Sequence, residues 1–393
     1  MTKVIEEYNL KEIAPFEDTE FRDKMSKLVE EPGFEHAVRW VMPDVDYKEF
    51  VKELLNVPDK NTLQTKVMGP FLELLASKTT DGITYDGIEN VSDDHASTFI
   101  TNHRDIVLDA SFLNLCFLRN NKPTSEIAIG DNLLIYEWIS DLVKINKSFI
   151  VKRNLKMTQA LKAAMQLSAY IHYAIMHKHE SVWIAQREGR AKDSNDVTQE
   201  SLMKMLALEG KGSTARNLEM IHLTPVSISY EYDPNDYLKA KEFLLKERDP
   251  EYKKSQHDDL LSMETGLLQY KGRVHFSISK DLSPLIARIP DSAKRLDVIQ
   301  QACHMVDNAI HLGYKIYSIN YIAADLLKEN TRYAANYTPV ECAAFKDYIE
   351  KQIDRIDVPD LTFGDRQFLR KKMFEMYANP LYNKLAAQQK SLS

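Results

Sequence analysis

The sequence predicts an α/β fold: a mixed, mostly parallel sheet flanked by helices, with an N-terminal helical domain before it and a largely helical C-terminal extension after it. Two observations carry this expectation. Between residues 83 and 232, short β-branched and aromatic runs alternate with helical patterns, as strands joined by crossover helices do. On either side of that stretch, apolar residues recur mostly at helical spacing.

The elements follow in order. In residues 1–80, Phe21, Met25 and Leu28, then Phe50, Leu54 and Leu55, mark apolar helix faces, while Pro32, Pro43 and Pro58 break the chain between helices. This reads as a small helical domain packed on the next. Strands are expected over 97–101, 126–129, 149–152, 182–185 and 223–231, within a second domain over 81–290. Between the middle strands, Leu161, Ala164, Met165, Ser168, Ile171 and Ile175 form a core-packing stripe at helical spacing. In the third domain, 291–393, Leu296, Ile299, Cys303, Val306 and Ile310 make one amphipathic face, closed by Gly313 as a C-cap. The tail aromatics Phe363, Phe368, Phe374, Tyr377 and Tyr382 are expected to pack against the core, as aromatic side chains do in ordinary domains.

With 393 residues and 44% hydrophobic content, the chain can bury a sizeable core. Cys116, Cys303 and Cys342 lie in apolar helical contexts without paired or metal-like spacing, and read as reduced core residues of a cytosolic protein. Residues 1–20 are acidic and lack an apolar h-region, so no signal peptide is expected. No run reaches the ~20 apolar residues needed to cross a bilayer. Residues 160–176 come nearest, interrupted by Lys162, Gln166, Ser168 and His172.

Net charge is −7, unevenly spread. Residues 1–60 hold 9 Lys or Arg against 15 Asp or Glu, a balance of −6, whereas 144–192 hold 10 against 2, a balance of +8. Such a basic band concentrates an anionic ligand. Lys156, Lys162 and Lys178 read as a solvated helix face, but Lys152, Arg153, Arg187, Arg190 and Lys192 stand at predicted strand ends. The band lacks the interleaved aromatics of a single-strand binder, and no zinc finger or RNA-binding signature is present, so no nucleic acid is expected. Neither a dinucleotide fingerprint nor a phosphate loop occurs; Gly210-Lys211-Gly212-Ser213 lacks the spacing. His172, His177 and His179 do not share a helix face, so no metal is expected.

The most informative stretch is 96–114. Residues 97–101 are β-rich, Asn102-His103-Arg104 ends the run, and Asp105 reads as the N-cap of an apolar helix through Phe112 and Phe117. His103 is thereby placed at a strand's carboxyl end, the edge where open α/β sheets bind ligands. A histidine there, with a carboxylate nearby, can take a proton from a hydroxyl.

Further blocks surround it. Thr84-Tyr85-Asp86-Gly87-Ile88-Glu89-Asn90 precedes Asn-His-Arg; Phe149-Ile150-Val151-Lys152-Arg153 is an apolar strand ending in basic residues; Val182-Trp183-Ile184-Ala185-Gln186-Arg187-Glu188-Gly189-Arg190 runs a strand into Glu-Gly-Arg; Leu223-Thr224-Pro225-Val226-Ser227-Ile228-Ser229-Tyr230 is a strand built around a proline. With Gly272-Arg273-Val274-His275-Phe276, these blocks, in this order, resemble the glycerolipid acyltransferase family, the enzymes that acylate glycerol 3-phosphate and lysophosphatidate.

The resemblance implies an O-acyltransferase that moves a fatty acyl group to a hydroxyl of glycerol 3-phosphate, lysophosphatidate or a related lyso-lipid. Acyl-CoA or acyl carrier protein would be the co-substrate, with no other cofactor. It implies His103 as general base, Glu188, Gly189 and Arg190 positioning the acceptor, and Arg153 binding its phosphate. Arg104, Lys152, Arg187 and Lys192 complete the expected substrate-binding set. Asn102, or backbone amides near Asp105, would face the oxyanion. No Gly-x-Ser-x-Gly elbow lies near the histidine, so no covalent acyl-enzyme is needed. The setting implied is phospholipid biosynthesis in the cytoplasm, peripherally on the inner face of the membrane.

One departure bears on the chemistry. The family's first block places an aspartate five positions after the histidine, and here that position is Leu108. A one-residue bulge in the turn brings Asp109 to the expected place, making it the partner of His103 and Asp105 an N-cap; the reverse assignment stays open. Two rival readings also stand: an acyl-thioester or lipid hydrolase using the same pair, and a catalytically degenerate lipid- or acyl-carrier-binding protein.

Overall fold

The computed structural model describes residues 2–392. Seven strands, β1 (Ile83–Asp86), β2 (Thr98–Thr101), β3 (Glu126–Gly130), β4 (Ser148–Val151), β5 (Val182–Ala185), β6 (Leu223–Tyr230) and β7 (Val274–Ile278), form one sheet in the order β1-β7-β6-β2-β5-β3-β4. Every neighbouring pair is parallel except β6 and β7, so β1 and β7 run against the other five. This is the predicted mixed, mostly parallel α/β sheet.

The central strands β2 and β6 are buried along their whole length, which is why they read as near-continuous apolar or small-residue runs rather than alternating ones. Pro225 is tolerated inside β6 because it lies one residue outside the ladder with β7, which begins at Val226–Ile278. The strand β1 falls outside the predicted set, and the motif after it explains its place. Gly87 has φ +71° and passes so close to β7 that a Cβ would meet the Ile278 carbonyl oxygen at 2.0 Å. Asn90 Nδ2 donates to that same oxygen at 2.8 Å. The Gly and Asn of the lead-in motif therefore clamp β1 to β7.

Side chains alternate between two cores. Phe99 and Trp183 point to the face covered by the helices Gly69–Thr79 and Leu108–Arg119, with Leu72, Leu75, Phe112 and Phe117. Ile100 and Ile184 point to the other, against the helices Met157–Tyr173 and Arg295–Gly313, where Ile171, Ile175, Ile299, Val306 and Ile310 meet. Leu10 and Ile13 join that second core. The helices between Asp18 and Met68 share a separate core of Phe21, Met25, Leu28, Leu54 and Leu63, completed by Ile145. At the other end, the helices Ser318–Lys328, Pro339–Asp354 and Phe363–Leu392 pack with Asp236–Arg248. Tyr377 is buried there, whereas Phe363 is exposed.

Lys178 departs from the expected solvated face: its ammonium pairs with buried Glu126 at 2.5 Å. The three cysteines are free, Cys116 and Cys303 buried. Among the described residues, no helix is long and apolar enough to cross a membrane.

Candidate active site

Because β2, β5, β3 and β4 are parallel neighbours, their carboxyl ends form one edge, and the chain leaving each contributes to it. His103 follows β2, Arg187 and Glu188 follow β5, Asp131 follows β3, and Lys152 and Arg153 follow β4. Three of the predicted blocks thus converge by topology alone.

The helix after β2 starts at Leu108, later than the sequence suggests. Asp105 nevertheless caps it in function, its Oδ1 accepting from the amides of Val107 at 2.9 Å and Leu108 at 2.8 Å. The turn at 104–107 absorbs the extra residue, so Asp109 lies in the first helical turn and its Oδ2 sits 2.8 Å from His103 Nδ1. The same oxygen accepts the Arg104 amide at 2.6 Å. Of the two assignments left open by the sequence, the geometry pairs His103 with Asp109.

Packing fixes this pair. Asp109 is fully buried, and the His103 ring meets Trp183 edge-on, centroids 5.8 Å apart and planes at 69°. Burial and the adjacent Asp109 and Asp105 carboxylates push the Tyr230 hydroxyl well above its ordinary pKa. The Asp105 carboxyl is likewise raised, by burial first and then by Asp109. Lys271 opposes this; burial itself brings its ammonium down to about 8.

The predicted substrate residues separate into three groups. Asn102 and Arg104 are committed to the scaffold. Asn102 is buried, accepting from the Ile228 amide at 2.8 Å and donating to the Ile228 carbonyl at 2.9 Å, so it joins β2 to β6 rather than facing an oxyanion. The Arg104 guanidinium forks onto buried Asp196 at 3.0 and 2.6 Å. The backbone amides of residues 104, 107 and 108 are also taken by carboxylates.

Lys152, Arg153, Arg187 and Glu188 share a cavity with His103. Lys152 reaches Glu12 at 2.5 Å, while the Arg153 amide bonds Asp131 at 3.1 Å. The Arg153 guanidinium lies over Gly130, where a Cβ would meet its Nε at 2.6 Å, and 3.5 Å from Glu188. Gly189 turns the loop with φ +69°. Arg190 and Lys192 form the third group, lining a small neighbouring pocket with Lys239 and Lys254. Lys192 pairs with Glu242 at 2.5 Å, and burial brings its pKa down to about 8.

The His103 cavity encloses about 1290 Å³ and is walled largely by apolar groups. Trp40, Phe71 and Trp138 come from the N-terminal helices and the 137–145 region, Ile129 from β3, and Met263 and Leu267 from the helix Gln256–Leu268. Sequence reasoning missed these walls. It also missed Trp183 as the ring beside His103 and Asp196 as the partner of Arg104; each lies far along the chain, with no local pattern to announce it.

Residues 82–229 match the model of the family described as Acyltransferase. That stretch, from β1 into β6, is thus similar to an acyltransferase domain, and it is the region whose motifs resemble the glycerolipid acyltransferases. No curated protein matches the chain. Among solved structures it is similar to the 1-acyl-sn-glycerophosphate (LPA) acyltransferase PlsC from Thermotoga maritima, at 11% identity, covering 72% of this chain and 96% of that one, with a TM-score of 0.35. That likeness is too distant to bear on activity.

Proposed function

We propose that this acyltransferase moves a fatty acyl group from an acyl thioester, carried by coenzyme A or acyl carrier protein, to a hydroxyl of glycerol 3-phosphate, lysophosphatidate or a related lyso-lipid. One observation carries the reading: half-buried His103, 2.8 Å from buried Asp109, opens onto a large apolar cavity with a cationic rim.

The chemistry follows from that geometry. Asp109 holds the Nδ1 proton of His103, so Nε2 receives the proton of the acceptor hydroxyl as its oxygen attacks the thioester carbonyl. The tetrahedral intermediate collapses, the C–S bond breaks, and the imidazolium returns the proton to the departing thiolate. Asp109 stabilises the imidazolium throughout. The cavity exceeds the roughly 300–1,000 Å³ of ordinary small-molecule sites, leaving room for a long acyl chain beside a headgroup. Arg187, which lines the cavity, has a buried Nε without a partner, and this favours an anionic ligand at this edge. Arg153 and Arg187 supply the planar, charge-assisted contacts that a phosphate takes. Lipid substrates would be drawn from the cytoplasmic face of a membrane that the protein meets peripherally.

The test is to incubate purified protein with acyl-CoA or acyl carrier protein, with and without a panel of phosphate-bearing and lyso-lipid acceptors, and to read products by mass spectrometry. Thioester consumption that depends on an acceptor is expected. Consumption without one makes the protein a hydrolase, and consumption under neither condition makes it a binding protein.

A further inference from the structure

The amino-terminal edge of the sheet, opposite His103, holds a second group of functional side chains. His95 precedes β2, His222 immediately precedes β6, and Asp281 follows β7. Since β2 and β6 are parallel and β7 is antiparallel to β6, topology brings these three connections to one edge. All three residues are half-buried, and one donor atom of each lies within 4.8 Å of the others. His222 Nδ1 is 2.8 Å from Asp281 Oδ2, and the two imidazoles stack with centroids 3.8 Å apart and planes at 17°.

The surroundings orient these groups. Asp281 Oδ1 accepts the Ser283 amide at 2.8 Å, which leaves Oδ2 aimed at His222. His95 Nδ1 rests against its neighbour's carbonyl, Ala96 O, at 3.2 Å. His222 holds φ +46°, a left-handed conformation uncommon outside glycine, which turns its ring into the group.

We propose that His95, His222 and Asp281 bind one divalent transition-metal ion of the zinc class, tying the starts of β2 and β6 to the end of β7. Two imidazoles and one carboxylate suit such an ion, with water as a fourth ligand completing a tetrahedron. The ion takes the position of the proton shared by His222 Nδ1 and Asp281 Oδ2. With bonds of about 2.0–2.2 Å, those two atoms move apart by a few tenths of an ångström. That proton passes to Nε2 when the ring starts neutral, or to solvent when it starts as imidazolium. The rings leave their parallel stack, because a metal lies in the plane of each imidazole it binds, and the His222 side chain, 30% exposed, has room to turn. This site is independent of the acyl-transfer reading.

Chelator-stripped full-length protein should be titrated with Zn²⁺ by calorimetry and with Co²⁺ by absorption. One equivalent of either is expected, with the intense visible bands of tetrahedral Co²⁺ and a rise in Tm with Zn²⁺. His95→Ala and Asp281→Asn should each weaken binding at least tenfold and remove the Tm rise, while His95→Ala keeps wild-type acyl transfer. His103→Ala should bind the ion as the wild type does. The absence of a saturable equivalent in the wild-type protein overturns the proposal whether or not the variants fold. Wild-type affinity in both His95→Ala and Asp281→Asn, or loss in His103→Ala, overturns it equally by placing the ion elsewhere.

Discussion

A Cβ on Gly266 would fall 1.9 Å from Asp105 Oδ2, so the helix Gln256–Leu268 rests directly on the carboxylate that caps the turn after His103. Asp105 is buried with a short side chain, and it cannot yield without moving the amides it holds at Val107 and Leu108. Gly266→Ala is therefore expected to lower stability by ~1–3 kcal/mol, the usual penalty for overpacking. Turnover should fall as well, because the displaced turn carries His103. Wild-type Tm and turnover in this variant would mean that the helix shifts freely above the turn.

The charge and the cap of Asp105 are separable. Its pKa is raised, chiefly by burial and then by Asp109, so at intermediate pH the folded protein keeps a proton that the unfolded chain has lost. Stability from this group accordingly falls as pH rises from the ordinary carboxylate value through the raised one, and stays low above it. Asp105→Asn keeps an acceptor for the Val107 and Leu108 amides and removes the charge. It should match or exceed wild-type Tm at pH 8 and flatten the dependence between pH 4 and 8. Asp105→Ala should instead cost ~1 kcal/mol as a lost cap. Equal destabilisation by both substitutions at pH 8 would show that the charge is not the burden.

His103→Ala and Asp109→Asn test the pair itself. Removing a general base typically costs 10²- to 10⁴-fold in rate. Both variants should show such losses in kcat, with a modest change in Tm for His103→Ala because its ring sits at a sheet edge rather than in the core. A correctly folded His103→Ala with near-normal turnover would end the mechanism.

The centre of the sheet was legible in the sequence because β2 and β6 are buried along their whole length, and continuous β-rich runs announce themselves. The strand β1 was not, since its four residues merge into a motif whose Gly87 and Asn90 act on Ile278, far along the chain. His103 was readable from its position after a strand. The choice between Asp105 and Asp109 was not, because it depends on how the turn at 104–107 absorbs one residue. Arg104 was read as a substrate group on the strength of its neighbour His103, but its partner Asp196 lies 92 positions away. The cavity walls drew on helices whose apolar faces look the same whether they bury a core or line a cavity.

That reassignment of Arg104 is testable. Removing one member of a buried ion pair leaves the other charge unpaired, at a cost of about 3–5 kcal/mol. Asp196 also accepts the Tyr314 hydroxyl at 2.5 Å, so Asp196→Ala should lose stability on that scale or more. Arg104→Lys should lower Tm without raising the KM of either substrate in the protein that remains folded. A rise in acceptor KM at unchanged Tm would return Arg104 to the substrate site.

Arg153 makes the opposite case. Its guanidinium lies on the His103 cavity, held from below by Gly130 and only loosely by Glu188 at 3.5 Å, so it has capacity for a ligand. Lysine at this position keeps the charge and loses the planar fork that engages phosphate with two hydrogen bonds. A hydrogen bond to a charged group contributes roughly 1.5–3 kcal/mol, so Arg153→Lys should raise the acceptor KM at least about tenfold. The thioester donor KM should barely move. Should the donor KM rise instead, Arg153 faces the phosphates of coenzyme A or an acidic carrier protein, and the acceptor need carry no phosphate. A neutral or amino-acid-derived lipid would then be the first acceptor to try.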